Sequence, residues 1–334
     1  MKRVIVVVIA ALFALSCARA PEGPGNLDIA VFVPGVVSGS PIYELLVAGA
    51  EAPAAEIPDA TVKVIEAGYN QAEWLDRLTA VAASGEFELI VSSNPALPEL
   101  CAKAAEAYPD ARFLVTDAYL EGNPAIHTVL YNQLEQGYIV GLLAGLVTRD
   151  LGGPLAAGLV AAQRYPTLDR LIQPGFEAGL KAVDPSFRLE YREIGNWYDA
   201  NKAAELSSSL FDAGVRVILP IAGGAGQGAI AAARERGGRI VWFDASGYSL
   251  APETVIGCAV LGQDRLVKDR ILAILKRGEQ PYGQADIVGV RDGLVGFDAE
   301  GPGYAVLPAG VRSVFEAGLD ELRKGRPDFT LRDF

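Results

Sequence analysis

The stretch VKVIEAGYNQAEWLDRLTAVAASGEFELIVSS, residues 62–93, contains the pattern that decides the fold. Val62–Ala67 and Glu88–Ser92 are short apolar runs with the Val, Ile and Leu content of strands. Gln71–Ser84, between them, has the 3.6-residue periodicity of an amphipathic helix. A strand, a helix and a second strand in this order indicate parallel strands covered by helices.

The same alternation continues on both sides of this stretch. Further strands are predicted at Leu27–Val33, Arg112–Asp117, His127–Tyr131, Ala156–Ala161, Arg188–Ile194, Val215–Ile221, Arg239–Phe243 and Thr254–Val260. A break at Asp150–Pro154 separates two similar five-strand units. We therefore predict an α/β fold of two doubly wound parallel-sheet lobes joined by a hinge.

The predicted lobes are residues 27–132 and 133–261, and residues 262–334 form a crossing segment that contributes to both. Residues 1–17 have the layout of a signal peptide, in which two basic residues precede an apolar run, Val4–Leu15, and Ser16-Cys17 follows. The run is shorter than the roughly 20 residues of a membrane span. It resembles a bacterial lipobox, which predicts an exported protein lipidated at Cys17, tethered by residues 18–26 and facing the periplasm or the cell exterior. An ordinary secretory signal with a chance cysteine is the alternative.

Composition excludes several classes of function. The formal net charge is −12 and the pI is near 4.7, so a nucleic-acid partner, which needs a basic face, is not expected. The one histidine, His127, lies inside a predicted strand, which disfavours a zinc site and a Ser-His-Asp triad. Cys101 and Cys258 lie in apolar elements and are predicted to be buried free thiols. We predict a binding protein with no catalytic residue, metal or cofactor.

Polar and aromatic residues follow the predicted strands at their carboxyl ends, where open parallel sheets bind ligands. Aromatic faces stack on flat rings, amides suit ring edges, and an ionised aspartate accepts hydrogen bonds from vicinal hydroxyls. These positions contain few cations, which disfavours a phosphorylated ligand. We predict an inter-lobe cleft for a small, flat, hydroxylated molecule, lined by Tyr43, Asn70, Asn94, Tyr131, Gln133, Trp197, Gly223, Gly224 and Asp244.

Other interpretations of the same residues stay open. A single tyrosine or tryptophan more often packs in a core, and Asn70 and Asn94 are also typical of helix caps and turns. Gly224–Ala229 follows a strand and opens a helix, with Asp244 about 20 residues on, which is the dinucleotide fingerprint of an enzyme. A surface adhesin or sensor lipoprotein would bind no small ligand tightly.

Several runs resemble the basic membrane protein family of substrate-binding lipoproteins. They include VFVPGVVSGSPIYELL (31–46), AGYNQAEW (67–74), ELIVSSNPALP (88–98), YNQLEQGYIVGLLAGLVT (131–148), GNWYDANKAAEL (195–206) and VILPIAGGAGQGAIAAA (217–233). Within the family, the chain looks closest to riboflavin-binding lipoproteins of ABC-type vitamin importers. The resemblance implies a type I periplasmic-binding-protein fold that closes on its ligand, an ABC permease as partner, and action as a monomer.

The resemblance also implies roles for individual residues. The ring-stacking position of nucleoside-binding members falls at Trp197, the aspartate that binds ribose hydroxyls at Asp244, and the first-lobe aromatic at Tyr43 or one residue earlier. Their acidic loop is replaced by Pro34–Pro41, and their lysine by Leu261. These differences favour riboflavin, with a purine nucleoside as the alternative. Tyr43 and Trp197 would then face the ring, Asn70, Asn94 and Gln133 its polar edge, and Asp244 with the Gly223–Gly224 backbone the hydroxyls.

Overall fold

The computed structural model describes residues 27–57 and 60–331. The predicted signal peptide, Cys17 and the tether lie outside the described residues. The strands are β1 (Asp28–Val33), β2 (Thr61–Glu66), β3 (Leu89–Ser93), β4 (Phe113–Thr116), β5 (Ile126–Tyr131), β6 (Ala156–Ala161), β7 (Arg188–Glu193), β8 (Val217–Ile221), β9 (Arg239–Asp244), β10 (Val255–Leu261), β11 (Ala285–Val288) and β12 (Val295–Asp298).

The α-helices lie between these strands and after them. They are α1 (Pro41–Glu51), α2 (Trp74–Ser84), α3 (Leu97–Ala107), α4 (Gln133–Leu151), α5 (Gln173–Val183), α6 (Ala200–Asp212), α7 (Gly226–Arg236), α8 (Gln263–Ile271), α9 (Pro302–Ala305) and α10 (Ala309–Arg323). Among the described residues, no helix is both long and apolar enough to span a membrane.

The strands form two six-stranded sheets with the same order. The first sheet runs β11-β5-β4-β3-β1-β2 and the second β12-β10-β9-β8-β6-β7. All pairs are parallel except β10 with β12, which is antiparallel. Each position in one sheet therefore has an equivalent in the other, β4 with β9 and β5 with β10. The predicted fold class, two doubly wound parallel-sheet lobes, is confirmed.

Buried side chains on both faces of each sheet explain the apolar strand sequences. In β1, Ile29, Val31 and Val33 belong to one core cluster, whereas Ala30 and Phe32 belong to another. All five are fully buried. A strand covered by helices on both faces needs an apolar residue at every position, not at alternate ones.

The chain passes between the lobes three times. It leaves β5 at Asn132 and enters α4. The backbone of α4 lies against α5 of the second lobe, since a Cβ on Gly137 would be 2.9 Å from the amide nitrogen of Phe176. It returns at Gly262, between β10 and α8, which packs on α1 at Gly49. It crosses again between β11 and β12, so residues 262–334 contain two strands that lie in different sheets.

The close approach of α4 and α5 depends on glycine. A Cβ on Gly141 would lie 2.2 Å from the carbonyl oxygen of Phe176, and one on Gly179 would lie 2.4 Å from that of Tyr138. Both distances are below van der Waals contact, so a larger side chain would separate the two helices. The glycine repeat in residues 137–145 is thus a packing feature of the second lobe.

The cysteines and the histidine have structural roles. Cys101 and Cys258 are buried free thiols, as predicted. Burial raises the pKa of the Cys258 thiol to about 12, which removes its reactivity at neutral pH. His127 Nδ1 lies 3.1 Å from the carbonyl oxygen of Gln284, and burial lowers the pKa of its imidazole. No cluster of three possible metal-binding side chains occurs in residues 27–57 and 60–331.

Candidate functional site: the cleft between the lobes

Two aspartates mark the centre of the cleft, one at the carboxyl end of each sheet. Asp117 follows β4, and Asp244 ends β9, the equivalent strand of the second lobe. Their φ angles are +54° and +67°, and they are the only non-glycine residues with positive φ in the described chain. A left-handed conformation is unfavourable for a residue with a Cβ, and strain of this kind concentrates at functional sites.

Both carboxyl groups are held in a poorly solvated place. Desolvation raises the pKa of Asp244 to about 6, against a hydrogen bond from Gln136 that lowers it. Desolvation, followed by the nearby charge of Asp244, raises the pKa of Asp117 well above its usual range. No lysine or arginine among the described residues contributes to either shift. The cleft is therefore an acceptor-rich site that disfavours anions.

The floor of the cleft holds buried polar atoms without a hydrogen-bond partner among the described residues. They are Asp117 Oδ1, the Tyr131 hydroxyl and Gln136 Oε1. Tyr131 and Gln136 are fully buried. Desolvation raises the pKa of Tyr131, and the charges of Asp117, Asp264 and Asp244 raise it further. Buried polar groups are normally paired, so this floor is suited to a polar ligand group.

Tyr43 and Asn94 form the first-lobe wall. The Tyr43 hydroxyl donates to the carbonyl oxygen of Pro34 at 3.2 Å and accepts from Asn94 Nδ2 at 3.3 Å. Its ring lies against Gly35, where a Cβ would be 3.0 Å from the ring carbon Cε2. Desolvation raises the pKa of the Tyr43 hydroxyl, and the charge of Asp117 adds to this, so the ring and the carboxylate share one region. Asn94 Oδ1 also accepts from the Ala96 amide at 2.9 Å.

Trp197 and Tyr165 form the second-lobe wall. Their ring centroids are 5.8 Å apart at an interplanar angle of 51°. The Trp197 carbonyl accepts from the Ala225 amide at 3.1 Å, and a Cβ on Gly223 would be 3.4 Å from the indole carbon Cε3. The turn after β8 therefore supports the half-buried indole. Desolvation raises the pKa of Tyr165, and the charges of Asp117 and Asp244 raise it further, so Tyr165 links this wall to the aspartates.

An aromatic contact bridges the two lobes at the mouth of the cleft. The rings of Tyr69, after β2, and Tyr198, after β7, have centroids 6.0 Å apart and are tilted by 47°. The two residues are 54% and 66% exposed. β2 and β7 are equivalent edge strands, so the pair joins the same side of both lobes.

The other predicted residues have different surroundings. Asn70 is exposed, its Oδ1 accepts from the Ala72 amide at 3.3 Å, and its Nδ2 donates to Glu73 at 2.8 Å, which is a capping arrangement. Gln133 is buried as the first residue of α4. Gly223 and Gly224 lie in the turn behind Trp197, where Gly223 has a positive φ of 52°.

Sequence reasoning missed three residues of this site, Asp117, Gln136 and Tyr165. Gln136 lies in α4, and its Nε2 donates to Asp244 Oδ1 at 3.3 Å and to the carbonyl oxygen of Ala259 at 3.2 Å. Asp117 could have been found, because the apolar run Phe113–Val115 precedes it much as Val241–Phe243 precedes Asp244. Tyr165 follows β6 at a carboxyl end, but three residues, Ala162–Arg164, separate it from the strand.

Two surface cavities lie outside the cleft. One, of about 410 Å³, is lined by Gly238, Arg239 and Pro252 at the amino end of β9, the end of a parallel sheet where ligands are not expected. The other, of about 440 Å³, is lined by Leu261, Arg265 and other residues of the crossing segments. Neither cavity combines aromatic faces from both lobes with carboxylates, so the cleft is the better candidate site.

Two sheets of equal order, joined by three crossings, define the type I periplasmic-binding-protein fold. Solved structures with this fold include a solute-binding protein of an ABC transporter system from Aeropyrum pernix, with a TM-score of 0.78 and 20% identity, covering 90% of this chain and 92% of that one. The myo-inositol-binding protein of Caulobacter has a TM-score of 0.64 and 15% identity, covering 88% and 99%.

The chain belongs to the Bmp family of PnrA-like ABC transporter substrate-binding proteins, which it matches over residues 26–307. This confirms the predicted family and a binding protein instead of an enzyme. Curated relatives include a CD4+ T-cell-stimulating antigen of Listeria monocytogenes, 27% identical over 50% of this chain and 47% of the relative. Others are the nucleoside-binding protein BmpA of Lactococcus lactis, at 21% over 44% and 41%, and basic membrane protein A of Borreliella burgdorferi, at 24% over 58% and 57%.

The chain spans about half the length of these curated relatives in the matched segments. The family model describes substrate-binding proteins of ABC transporters. Proteins of this family act in the periplasm or at the cell exterior.

Proposed function

We propose that this protein captures riboflavin in the inter-lobe cleft and delivers it to an ABC permease. The observation that supports this most is the combination of an aromatic wall, Trp197 with Tyr165, and two poorly solvated aspartates, Asp117 and Asp244. A flat ring stacks on the aromatic wall, and a chain of hydroxyls donates hydrogen bonds to the aspartates.

The isoalloxazine ring would lie between the indole of Trp197 and the first-lobe wall at Tyr43. Its uracil-like edge presents both donors and acceptors, which suit Asn94, Gln133 and the buried hydroxyl of Tyr131. The ribityl hydroxyls would donate to Asp117 and Asp244, and the Gly223–Gly224 backbone would approach them closely. Asn70 would act indirectly, because both ends of its amide are used in a cap.

The charge of the cleft favours the free vitamin over its phosphorylated form as ligand. A phosphorylated flavin would bring a dianion beside two carboxylates, and no cation shifts the pKa of either aspartate. Like charges in a poorly solvated place repel strongly. The free vitamin is therefore the proposed ligand, and flavin mononucleotide is disfavoured.

A purine nucleoside is the second candidate. The chain's family is described as PnrA-like, and its relative in Lactococcus lactis is a nucleoside-binding protein. A nucleoside also has a flat ring and vicinal hydroxyls. The absence of the lysine that nucleoside binders use, with Leu261 in its place, favours the wider flavin ring.

Titration calorimetry with riboflavin, flavin mononucleotide, inosine and guanosine tests the proposal. We expect one riboflavin per chain, and flavin mononucleotide weaker by at least roughly tenfold, a difference of about 1.4 kcal/mol. Tight binding of inosine or guanosine with no heat from riboflavin would mean that the ligand is a nucleoside and not the vitamin. No heat from any of the four would overturn both assignments.

We also propose that Cys17 carries the lipid anchor predicted from the lipobox-like sequence. Metabolic labelling of the full chain with a radioactive fatty acid should label the wild type and not Cys17→Ala. Labelling of both would exclude Cys17 as the attachment site, and labelling of neither would exclude the anchor.

A further inference from the structure

Gln263 is the first residue of α8 and comes directly after the crossing at Gly262. It therefore lies in the first lobe, although the strand before it, β10, belongs to the second. Its side chain is fully buried. Nε2 donates to the carbonyl oxygen of Ile42, and Oε1 accepts from Ser93 Oγ at 3.2 Å and from Thr116 Oγ1 at 3.0 Å. One amide thus joins three separate elements of the first lobe.

Each partner of Gln263 immediately precedes a residue of the candidate site. Ile42 precedes Tyr43, Ser93 precedes Asn94, and Thr116 precedes Asp117. Three ligand-facing residues on α1, after β3 and after β4 are therefore fixed relative to one another by a single side chain. Since that side chain is buried and both its amide nitrogen and its amide oxygen are bonded to these elements, it acts on the ligand only through these neighbours.

The second lobe has a reciprocal arrangement. Gln136 lies on α4, which follows the first-lobe strand β5, and its Nε2 donates to Asp244 Oδ1 and to the carbonyl oxygen of Ala259 in β9 and β10. The first two crossings thus each lead to a buried glutamine in the lobe that the chain enters. Gln136 bonds a cleft carboxylate directly, whereas Gln263 bonds one backbone carbonyl and two hydroxyl groups next to the first-lobe wall.

We propose that Gln263 is a positioning residue that pre-organises the first-lobe wall of the cleft from the hinge. This rests on the proposed function only in taking the cleft as the ligand site. A site holds its ligand tightly when the contacting residues are fixed before binding by packing and by hydrogen bonds behind them. Removing the amide would leave Tyr43, Asn94 and Asp117 in place but free to shift relative to each other.

The first test needs no ligand. Hydrogen–deuterium exchange of the full chain is compared for the wild type, Gln263→Met, which keeps the length without the amide, and Gln173→Met. Gln173 is a half-buried glutamine on α5, and its Nε2 donates to Glu177. For Gln263→Met only, we expect exchange to rise by roughly tenfold in peptides 40–46, 93–98 and 116–120. Peptides 195–206 and 241–248 of the second lobe should not change.

A milder variant protects the test against a folding defect. Thr116→Val removes one of the three bonds at nearly constant volume, and its effect should be confined to peptide 116–120. An increase spread evenly over both lobes in Gln263→Met, or no increase in any of the three peptides, would overturn the positioning role. Failure of the riboflavin assignment leaves this result unaffected.

The second test uses whichever of riboflavin or inosine binds the wild type. We expect Gln263→Met to bind it about tenfold more weakly at an unchanged stoichiometry of one per chain, and Gln173→Met to bind it normally. A lowered stoichiometry at unchanged affinity would mean that part of the protein is unfolded, which contradicts a positioning role. Equal affinity for both variants would also contradict it.

Discussion

Asp117 and Asp244 occupy equivalent places in the two lobes, at the carboxyl ends of β4 and β9, and both have a left-handed backbone. The charge of Asp244 helps to raise the pKa of Asp117. The two carboxyl groups therefore form one electrostatic unit across the cleft. Each is held by the surrounding fold in an unfavourable backbone conformation and an unfavourable solvent environment, a combination typical of functional residues.

Replacing either aspartate should stabilise the unliganded protein. A carboxyl group whose pKa is raised in the folded state does not lower the free energy of unfolding at a pH below its ordinary pKa of 3.8. Its cost grows as the pH rises towards the folded value of about 6, and is complete above it. We expect Asp244→Asn to raise the free energy of unfolding at pH 7.5 by about 1–2 kcal/mol, allowing for partial exposure. Urea denaturation measures it, with the exposed Asp110→Asn as control; a loss of stability would contradict the desolvation argument.

Ligand affinity should depend on pH in the opposite direction. Hydroxyl groups donate to the ionised form of Asp244, and this form is lost as the pH falls through about 6. We expect the dissociation constant to increase by roughly tenfold between pH 7.5 and 5, since each 1.4 kcal/mol is tenfold. Calorimetry in buffers of matched ionic strength measures it. In Asp244→Asn the dependence should be much weaker, and an unchanged pH profile there would argue against this carboxylate.

Trp197→Ala should weaken ligand binding strongly. The substitution removes the second-lobe ring face and leaves Tyr165 without its aromatic partner. A buried aromatic surface and its stacking together contribute about 2–3 kcal/mol, so we expect a loss of thirtyfold or more. Trp197→Phe keeps a ring and should lose only a few-fold. Affinity within twofold of wild type for Trp197→Ala would show that the indole does not contact the ligand.

The Tyr69–Tyr198 contact should slow ligand release. The rings meet across the mouth of the cleft, and such a pair contributes about 0.5–1.5 kcal/mol. We expect Tyr69→Ala and Tyr198→Ala each to raise the dissociation rate by two- to tenfold in stopped-flow experiments. The double variant should be little faster than the single ones, and Tyr108→Ala, a partly exposed tyrosine at the end of α3, should be silent. Strictly multiplicative effects would mean that the rings act independently.

Gly141→Val should destabilise the second lobe. The new side chain would collide with the backbone of Phe176, 2.2 Å from its Cβ position, and forced overpacking costs about 1–3 kcal/mol. Gly310→Ala is the matched control, because no described atom beyond its chain neighbours and its own helix backbone lies within 4 Å of its Cβ position. Its free energy of unfolding should increase by about 0.4–1 kcal/mol. Thermal unfolding of both variants and of the wild type measures these changes in stability. A Gly141→Val protein as stable as wild type would show that α4 and α5 move apart freely.

Strand and helix positions were predictable because strand burial and helix periodicity leave separate signals in the sequence. The strands predicted within residues 62–93, together with the glycine-containing breaks, were sufficient to predict the alternation of strands and helices. That alternation in turn predicts the parallel sheets. The tail was harder. β11 and β12 have four residues each, and only the three-dimensional structure reveals that one joins the first sheet in parallel and the other joins the second in the opposite direction.

The site was less predictable. The sequence shows which type of residue follows the carboxyl end of a strand, but it does not show what surrounds that residue in the fold. Trp197 and Asp244 stood out as an aromatic and an acid after strands. Asp117 was included in a strand and not considered further, although the equivalence of β4 and β9 gives it the same place as Asp244. Gln136 and Gln263 carry no local signal, because their importance comes from partners 108 to 221 positions away in sequence.

The threefold passage between the lobes also constrains how the chain can fold as it is synthesised. The first sheet needs β11, at residues 285–288, and the second needs β12, at residues 295–298. Neither sheet is formed by one continuous piece of chain, so the first sheet lacks an edge strand until residue 288 has been synthesised, and the second until residue 298. The two lobes therefore complete their sheets almost together, at the end of this stretch of chain, and not one after the other.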